Sequence, residues 1–309
     1  MGTSTAAAAP DLELLASRIR TLVLEQTVRA GGAYLSQACS SAELFAALYG
    51  SVLRLGASDA PLVPEPFRAV PGQPGANPTG ARYHGAATPG VDRLVISPSH
   101  YALTVYAALA AVGRLAPEAL DSFNADGSTL EMIGAEHSPG FELTTGSMGQ
   151  ALSQALGIAV ARRWRGESGD IWVFMGDGEL QEGQVWEALQ FAAAQRLDNV
   201  RILVDVNGQQ VDGRTSQVLN HGPLESKFAA FGCHVVPVDG HDMHAILAGA
   251  GTPLDGQPLA MLAYTDPAHG LDLLRQRAPK LHYVRFRDEQ ERAAFADLLA
   301  ARQSAQVEA

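Results

Sequence analysis

Asp177 stands between Gly176 and Gly178, directly after the apolar run "DIWVFM", and Asn207-Gly208 closes a second apolar run, "VRILVDV". A carboxylate, an amide oxygen and a nearby backbone carbonyl suit a hard cation such as Mg²⁺, which takes oxygen ligands at about 2.0–2.1 Å. The two glycines permit close backbone approach, and the first turn of a following helix offers unpaired N–H groups to an anion. Together these groups could hold a divalent cation and a diphosphate. Plainer readings compete at this level. Gly-Asp-Gly is common in turns, and Asn-Gly favours the type I′ turn of a hairpin. A Rossmann fingerprint is excluded, because position 181 is Gln and the third glycine arrives only at 183. No Gly-Lys-Ser/Thr is present, which excludes a P-loop.

Those residues need a scaffold that brings them together. The spacing predicts a strand over 170–175, a helix over 182–196 and a strand over 200–206. A right-handed βαβ crossover puts both strand ends at one edge of a sheet, where open α/β sheets bind ligands. Around this unit, Leu12, Leu15, Ile19 and Leu22 make a helical stripe that ends at Gly31-Gly32. Ser40 and Glu43 are spaced as a capping box opening a second helix, and Ser147 and Gln150 as another. Residues 58–92, rich in Pro and Gly, read as a long loop. "RLVIS" is a strand, followed by a helix with His100 in its first turn. Further on come a helix near 223–231, the strand "HVVPVDG", a helix near 242–250 and the strand "LAMLAYT". A loop with His269 and His282 leads to a C-terminal helix from about 288. Continuously apolar strands alternating with helices predict an α/β fold: one domain over 1–309 with a mostly parallel sheet covered on both faces.

Composition narrows the function. A net charge of −11 argues against a nucleic-acid backbone or an anionic membrane as main partner. Cys39 and Cys233, far apart and without metal spacing, suit a reducing, cytoplasmic setting. The start of the chain has no signal-peptide pattern, and no apolar run approaches membrane-spanning length.

The segment from 174 to 213 resembles the transketolase family of thiamine-diphosphate enzymes. "GDG" is followed after 27 residues by Val206-Asn207, where the family has an Asn pair. "GDGELQEGQVWEA", "SSAELFAALY", "DRLVISPSH", "TTGSMGQALS", "VDGHD" and "LHYVRF" extend the resemblance over most of the chain. It implies thiamine diphosphate and Mg²⁺ (or Ca²⁺) as cofactors, with Asp177, Asn207 and the carbonyl of Gln209 as metal ligands. It also implies Gly178 at the diphosphate, Gly146 and Met148 along the aminopyrimidine, and Glu182 and Glu187 at a subunit interface near the cofactor. His100 and His282 are implied as the proton-handling histidines beside the reacting carbons, with His269 a rival to His282 and His137 near another family histidine. Three departures touch sugar recognition: Tyr34 replaces a substrate-facing histidine, Pro98 replaces a lysine, and "DPAHG" replaces a lysine-rich stretch.

The chain ends where the family's diphosphate-binding domain ends. The expectation is therefore a diphosphate-binding subunit of a split transketolase. Its pyrimidine-binding half is expected on a separate chain, in an α2β2 heterotetramer acting on sugars or sugar phosphates. The competing readings are a subunit of a deoxyxylulose-phosphate-synthase-like or 2-oxo-acid-decarboxylating enzyme, and a non-catalytic regulatory subunit that keeps the fold.

Overall fold

The computed structural model describes residues 10–67 and 79–308. In chain order the helices are α1 (Leu12–Ala30), α2 (Leu35–Ala47), α3 (Ala102–Ala111), α4 (Gln150–Trp164), α5 (Gly183–Ala194), α6 (Thr215–Val218), α7 (Leu224–Ala230), α8 (Met243–Ala250), α9 (Asp272–Arg275) and α10 (Glu289–Glu308). The strands are β1 (Gly32–Ala33), β2 (Arg93–Ile96), β3 (Ile171–Gly176), β4 (Val200–Val206), β5 (Gln209–Gln210), β6 (Gly213–Arg214), β7 (His234–Asp239), β8 (Leu259–Tyr264) and β9 (Val284–Arg285).

Five strands form a wholly parallel sheet in the order β2-β3-β4-β8-β7. The period-2 alternation of a strand explains why it is covered on both sides. Trp172 and Phe174 of β3 pack with α1, α2 and α3 on one face, while Ile171, Val173 and Met175 pack with α4 and α5 on the other. Pro237 is tolerated because β7 is the edge strand. The α/β architecture expected from the sequence is therefore present, and the β3–α5–β4 unit lies at the centre of the sheet.

Several local expectations change. α1 ends as expected, at Gly31 with φ 74°, a left-handed cap that a Cβ would strain. α2, however, begins at Leu35, not at Ser40. Ser40 donates to Asp205 at 2.6 Å, and Glu43 pairs with buried Arg20, so both are spent on tertiary contacts inside the helix. Nor do Ser147 and Gln150 form a capping box: α4 starts at Gln150, with Gly149 as its cap, and the two side chains merely bond each other at 3.2 Å. Within the expected 58–92 loop lies a 3₁₀ turn, Gly80–His84, while residues 68–78 of that loop are outside the described residues.

Candidate functional site

β3 and β4 run in register with Gly176 opposite Asp205, so Asp177 and Asn207 leave the sheet side by side at its carboxyl edge. Asp177 is buried, and its Oδ2 accepts from the Gly208 N–H at 3.0 Å and the Thr215 hydroxyl at 3.2 Å. Asn207 is oriented by Asp205, a carboxylate with no exposure beneath it. Because Asp205 can only accept, the amide turns its Nδ2 inward, donating to Asp205 Oδ2 at 3.1 Å and to the Tyr101 hydroxyl oxygen at 3.1 Å. Its Oδ1 is left as the acceptor end, taking the Gln209 N–H at 2.9 Å. Asn207-Gly208 is thus not the turn of a hairpin. It closes β4, and the small β5–β6 hairpin follows it, turning at Val211-Asp212.

Burial, and then the charge of Asp205, push the Asp177 carboxyl up to about 7. Burial raises Asp205 as well. Asp177 therefore lies at a cavity of about 220 Å³ with Asp205 buried beneath it, and the described residues of the lining include no Lys or Arg. Glu179 Oε2 and Gln209 Oε1, on two further lining residues, are buried acceptors without a hydrogen-bond partner. A set of oxygen acceptors with this charge deficit fits a divalent cation held by Asp177, Asn207 and Gln209.

The anion cradle differs from the expected one. A 3₁₀ turn, Asp177–Gln181, separates β3 from α5, so the N–H groups beside Asp177 belong to that turn and not to the helix N-terminus. Glu179 accepts from Ser97 and from the Gly149 N–H at 2.6 Å, which ties the "TTGSMGQ" loop to the turn. A Cβ on Gly178 would come within 3.4 Å of Gln210 Cβ, so a small residue keeps the cradle open there. Met148 is 39% exposed and lines the cavity, which rules out a plain core position. Glu182 also lines it, whereas Gly146 lies outside the lining and Glu187 is exposed on α5.

His100 and His282 meet at the cavity wall with ring centroids 4.8 Å apart. Burial, then the neighbouring His282, lowers His100 to about 3, and burial lowers His282. Both imidazoles are neutral at pH 7 and can donate one N–H or accept a proton. Tyr34 does not line the cavity. Its ring packs against the rings of His100 at 5.2 Å, His282 at 5.4 Å and Tyr283 at 4.9 Å. β1 and β9 pair antiparallel, Gly32 opposite Arg285, and Gln37 donates to the His282 carbonyl at 3.2 Å, so the start of α2 fixes the far segment that carries His282.

Because the folded chain keeps His100 uncharged, the stability this residue allows is full above the ordinary imidazole pKa. It falls as the pH drops from ~6.5 towards the lowered value, by up to ~1.4 kcal/mol per unit. Thermal unfolding of wild type and His100→Gln between pH 7 and 5 should show a shallower decline in the variant.

His269 and His137 are elsewhere. His269 stacks on His241 at 3.8 Å with planes 13° apart, and His241 Nδ1 pairs with Glu43 at 3.1 Å. The Asp266 N–H donates to His241 Nε2, so the ring proton is on Nδ1 and points at Glu43. Parallel stacked rings cannot both aim a lone pair at one ion, and Arg20 already pairs with Glu43. This trio, although close enough to count as a metal-ligand set, anchors the loop after β8. His137 bonds Glu131 at 2.9 Å, against Phe67 and outside the lining.

Sequence reasoning missed Asp205, Tyr101, Ser40, Thr215 and Glu179. One signal was available for Asp205: a carboxylate in the middle of a strand otherwise fit for full burial has to be hydrogen-bonded. Glu179 lies in the turn beside Asp177, and the others are brought in by tertiary packing from α2, the start of α3 and the segment after β6.

Known proteins share both sequence and fold with this chain. The thiamine diphosphate binding domain of transketolase matches residues 77–252. The 6-deoxy-6-sulfo-D-fructose transketolase subunit SqwG of Clostridium sp. is 33% identical over 291 residues, covering 93% of this chain and 96% of that protein. An apulose-4-phosphate transketolase subunit from Actinobacillus succinogenes is 34% identical over 204 residues, covering 65% of this chain and 74% of that one. Among solved structures, transketolase from Leishmania mexicana superposes with a TM-score of 0.67 at 24% identity, covering 97% of this chain but 46% of that one. The chain thus spans about half the length of that solved transketolase. These matches show that the chain belongs to the transketolase family and carries its thiamine diphosphate binding domain.

Proposed function

We propose that this chain is the diphosphate-binding subunit of a split transketolase, transferring a two-carbon ketol unit from a ketose to an aldose. The whole of 1–309 serves as one diphosphate-binding domain, completed by a separate pyrimidine-binding chain in an α2β2 assembly. The observation that carries the reading is the convergence of Asp177, Asn207 and Gln209 at one sheet edge with His100 and His282 on the wall of the same cavity. The near full-length match to a relative that is itself a transketolase subunit supports the division into two chains. Free, buried cysteines agree with a cytoplasmic setting.

Asp177, Asn207 and the Gln209 carbonyl would hold Mg²⁺, whose charge would offset that of a diphosphate, and Gly178 would let the backbone approach it. Bound thiamine diphosphate supplies the nucleophilic carbon and the electron sink for breaking the C–C bond. His100 and His282, neutral and within one cavity, bind the ketose carbonyl and hydroxyl oxygens and pass protons as charge develops there. The aromatic packing around them excludes water from that wall. Met148 and Glu182, at the cavity mouth, lie towards the side that the partner chain would close.

Purified chain and co-purified pair, each with thiamine diphosphate and Mg²⁺, provide the test in a ketol-transfer assay. The pair is expected to turn over and the single chain is not. Turnover by the single chain would refute the division of the site between two chains.

A further inference from the structure

We infer that Tyr34 is the positioning residue for His100 and His282, orienting both imidazoles through its ring and not through its hydroxyl. This inference rests on the ketol-transfer reading above, and one arm of its test is independent of that reading.

Histidines elsewhere in the chain are held by polar partners. His84 is fixed by Glu142 at 2.7 Å and by the Tyr49 hydroxyl at 2.8 Å, His137 by Glu131, and His241 by Glu43 and the Asp266 N–H. His100 and His282 differ: among the described residues neither imidazole has a hydrogen bond or an ion pair. At His282 it is the backbone carbonyl, not the ring, that Gln37 engages. The planes of both imidazoles are therefore set by packing against other rings. His100 meets Tyr34, Tyr101 and His282, and His282 meets Tyr34 and His100. Tyr34 is the one further ring among the described residues that touches both, tilted 45° on His100 and edge-on at 81° to His282.

Holding a histidine this way has a chemical consequence. A hydrogen bond to one imidazole nitrogen fixes the tautomer and occupies that nitrogen. Contact with a phenol ring restrains the plane and leaves both nitrogens available, one as donor and one as acceptor. Two neutral imidazoles held by rings can therefore give a proton at one substrate oxygen and take one at another.

Tyr34 is itself anchored. It joins β1 to α2, Ala33 before it pairs with Val284, and Leu35 after it is fully buried. A Cβ on Gly32 would come 2.6 Å from the Val284 carbonyl oxygen, so the β1–β9 crossing that fixes Tyr34 has no room for a side chain. Tyr283 packs on a third side of the ring at 4.9 Å, with planes 85° apart. The hydroxyl, by contrast, has no hydrogen-bond partner among the described residues, and Tyr34 makes no side-chain bond to cap α2. Burial, then Tyr283, raises the phenol pKa, so the hydroxyl is no base at pH 7.

The co-purified pair should be assayed for ketol transfer as wild type, Tyr34→Phe and Tyr34→Leu. Tyr34→Leu removes the flat ring and should lower kcat by about 30-fold, with KM for the ketose changed by less than about threefold. Tyr34→Phe keeps the ring and should stay within about twofold of wild type in both. A loss in Tyr34→Phe as large as in Tyr34→Leu would assign the effect to the hydroxyl and overturn the inference, and so would full activity in Tyr34→Leu. The phenylalanine comparison decides this even where the leucine variant is unstable. Affinity for thiamine diphosphate should be unchanged in both variants, because Tyr34 lies outside the lining that holds Asp177, Asn207 and Gln209. A fall in affinity parallel to the fall in kcat would show general disturbance and count against the inference. The independent arm is histidine NMR on the cofactor-free full chain, which needs no turnover. Tyr34→Leu admits water to the wall and should move the His100 and His282 titrations upward, towards the ordinary ~6.5, while His137 and His241 stay in place. Unmoved titrations of His100 and His282 would overturn the inference. Absence of transfer by the wild-type pair would remove the ketol-transfer reading, and the NMR comparison would still decide whether Tyr34 holds the two rings.

Discussion

Replacing Asp177 by alanine is expected to lower the metal-dependent affinity of the proposed pair for thiamine diphosphate by about 100-fold or more. The carboxylate is the one anionic ligand in the set formed with Asn207 and the Gln209 carbonyl, and its nearest acidic neighbour cannot replace it. That neighbour, Asp205, lies beneath and is fully committed to four donors. Calorimetric titration with thiamine diphosphate at fixed Mg²⁺ reads the loss, and unchanged affinity would favour a regulatory subunit with a vestigial site. The stability of the cofactor-free chain should move the other way. Burial raises Asp177 to about 7 in the fold, above its unfolded value. Its contribution is therefore complete below the unfolded pKa and is lost as the pH rises through 7. Asp177→Asn should flatten the fall in melting temperature between the unfolded carboxyl pKa, ~4, and about 7, and Mg²⁺ with the cofactor should restore stability to wild type alone.

The largest stability effect is expected at Asp205. Asp205→Ala leaves the Ser40, Tyr101 and Thr265 hydroxyls and the Asn207 amide without their shared acceptor, deep in the protein. Breaking a buried charged network by removing one member costs ~3–5 kcal/mol, and denaturant unfolding should show a loss of that order. Thr265→Val removes a single donor and should cost only ~1 kcal/mol. The consequence reaches the site, because Asp205 sets which end of the Asn207 amide points inward. Cofactor affinity should therefore fall with Asp205→Ala and remain near wild type with Thr265→Val.

The β3–α5–β4 unit was legible because its signals are local: two apolar runs of strand length, glycines at their ends and an amphipathic stretch between them. Strand and helix order could be read for the same reason, since each element carries its own period. What failed depended on partners distant in the chain. Ser40 and Glu43 have capping-box spacing, but the pattern cannot show that the helix already starts at Leu35 or that Asp205 and Arg20 claim those side chains. The places of His282, on the cavity wall, and His269, away from it, likewise depend on tertiary pairing, through β1–β9 for one and the His241 stack for the other. The helix start near 182 was legible, but not that "DGELQ" before it closes as a 3₁₀ turn.

The pairing of Gly32-Ala33 with Val284-Arg285 also bears on biosynthesis. It joins segments some 250 residues apart, so a ribosome must extrude the chain through β9 before His282 can reach Tyr34 and His100. The sheet can assemble beforehand, strand by strand, but the histidine wall closes only after the segment carrying His282 has emerged. A nascent chain therefore passes through a sheet-containing stage with the diphosphate edge in place and one of its two histidines still missing.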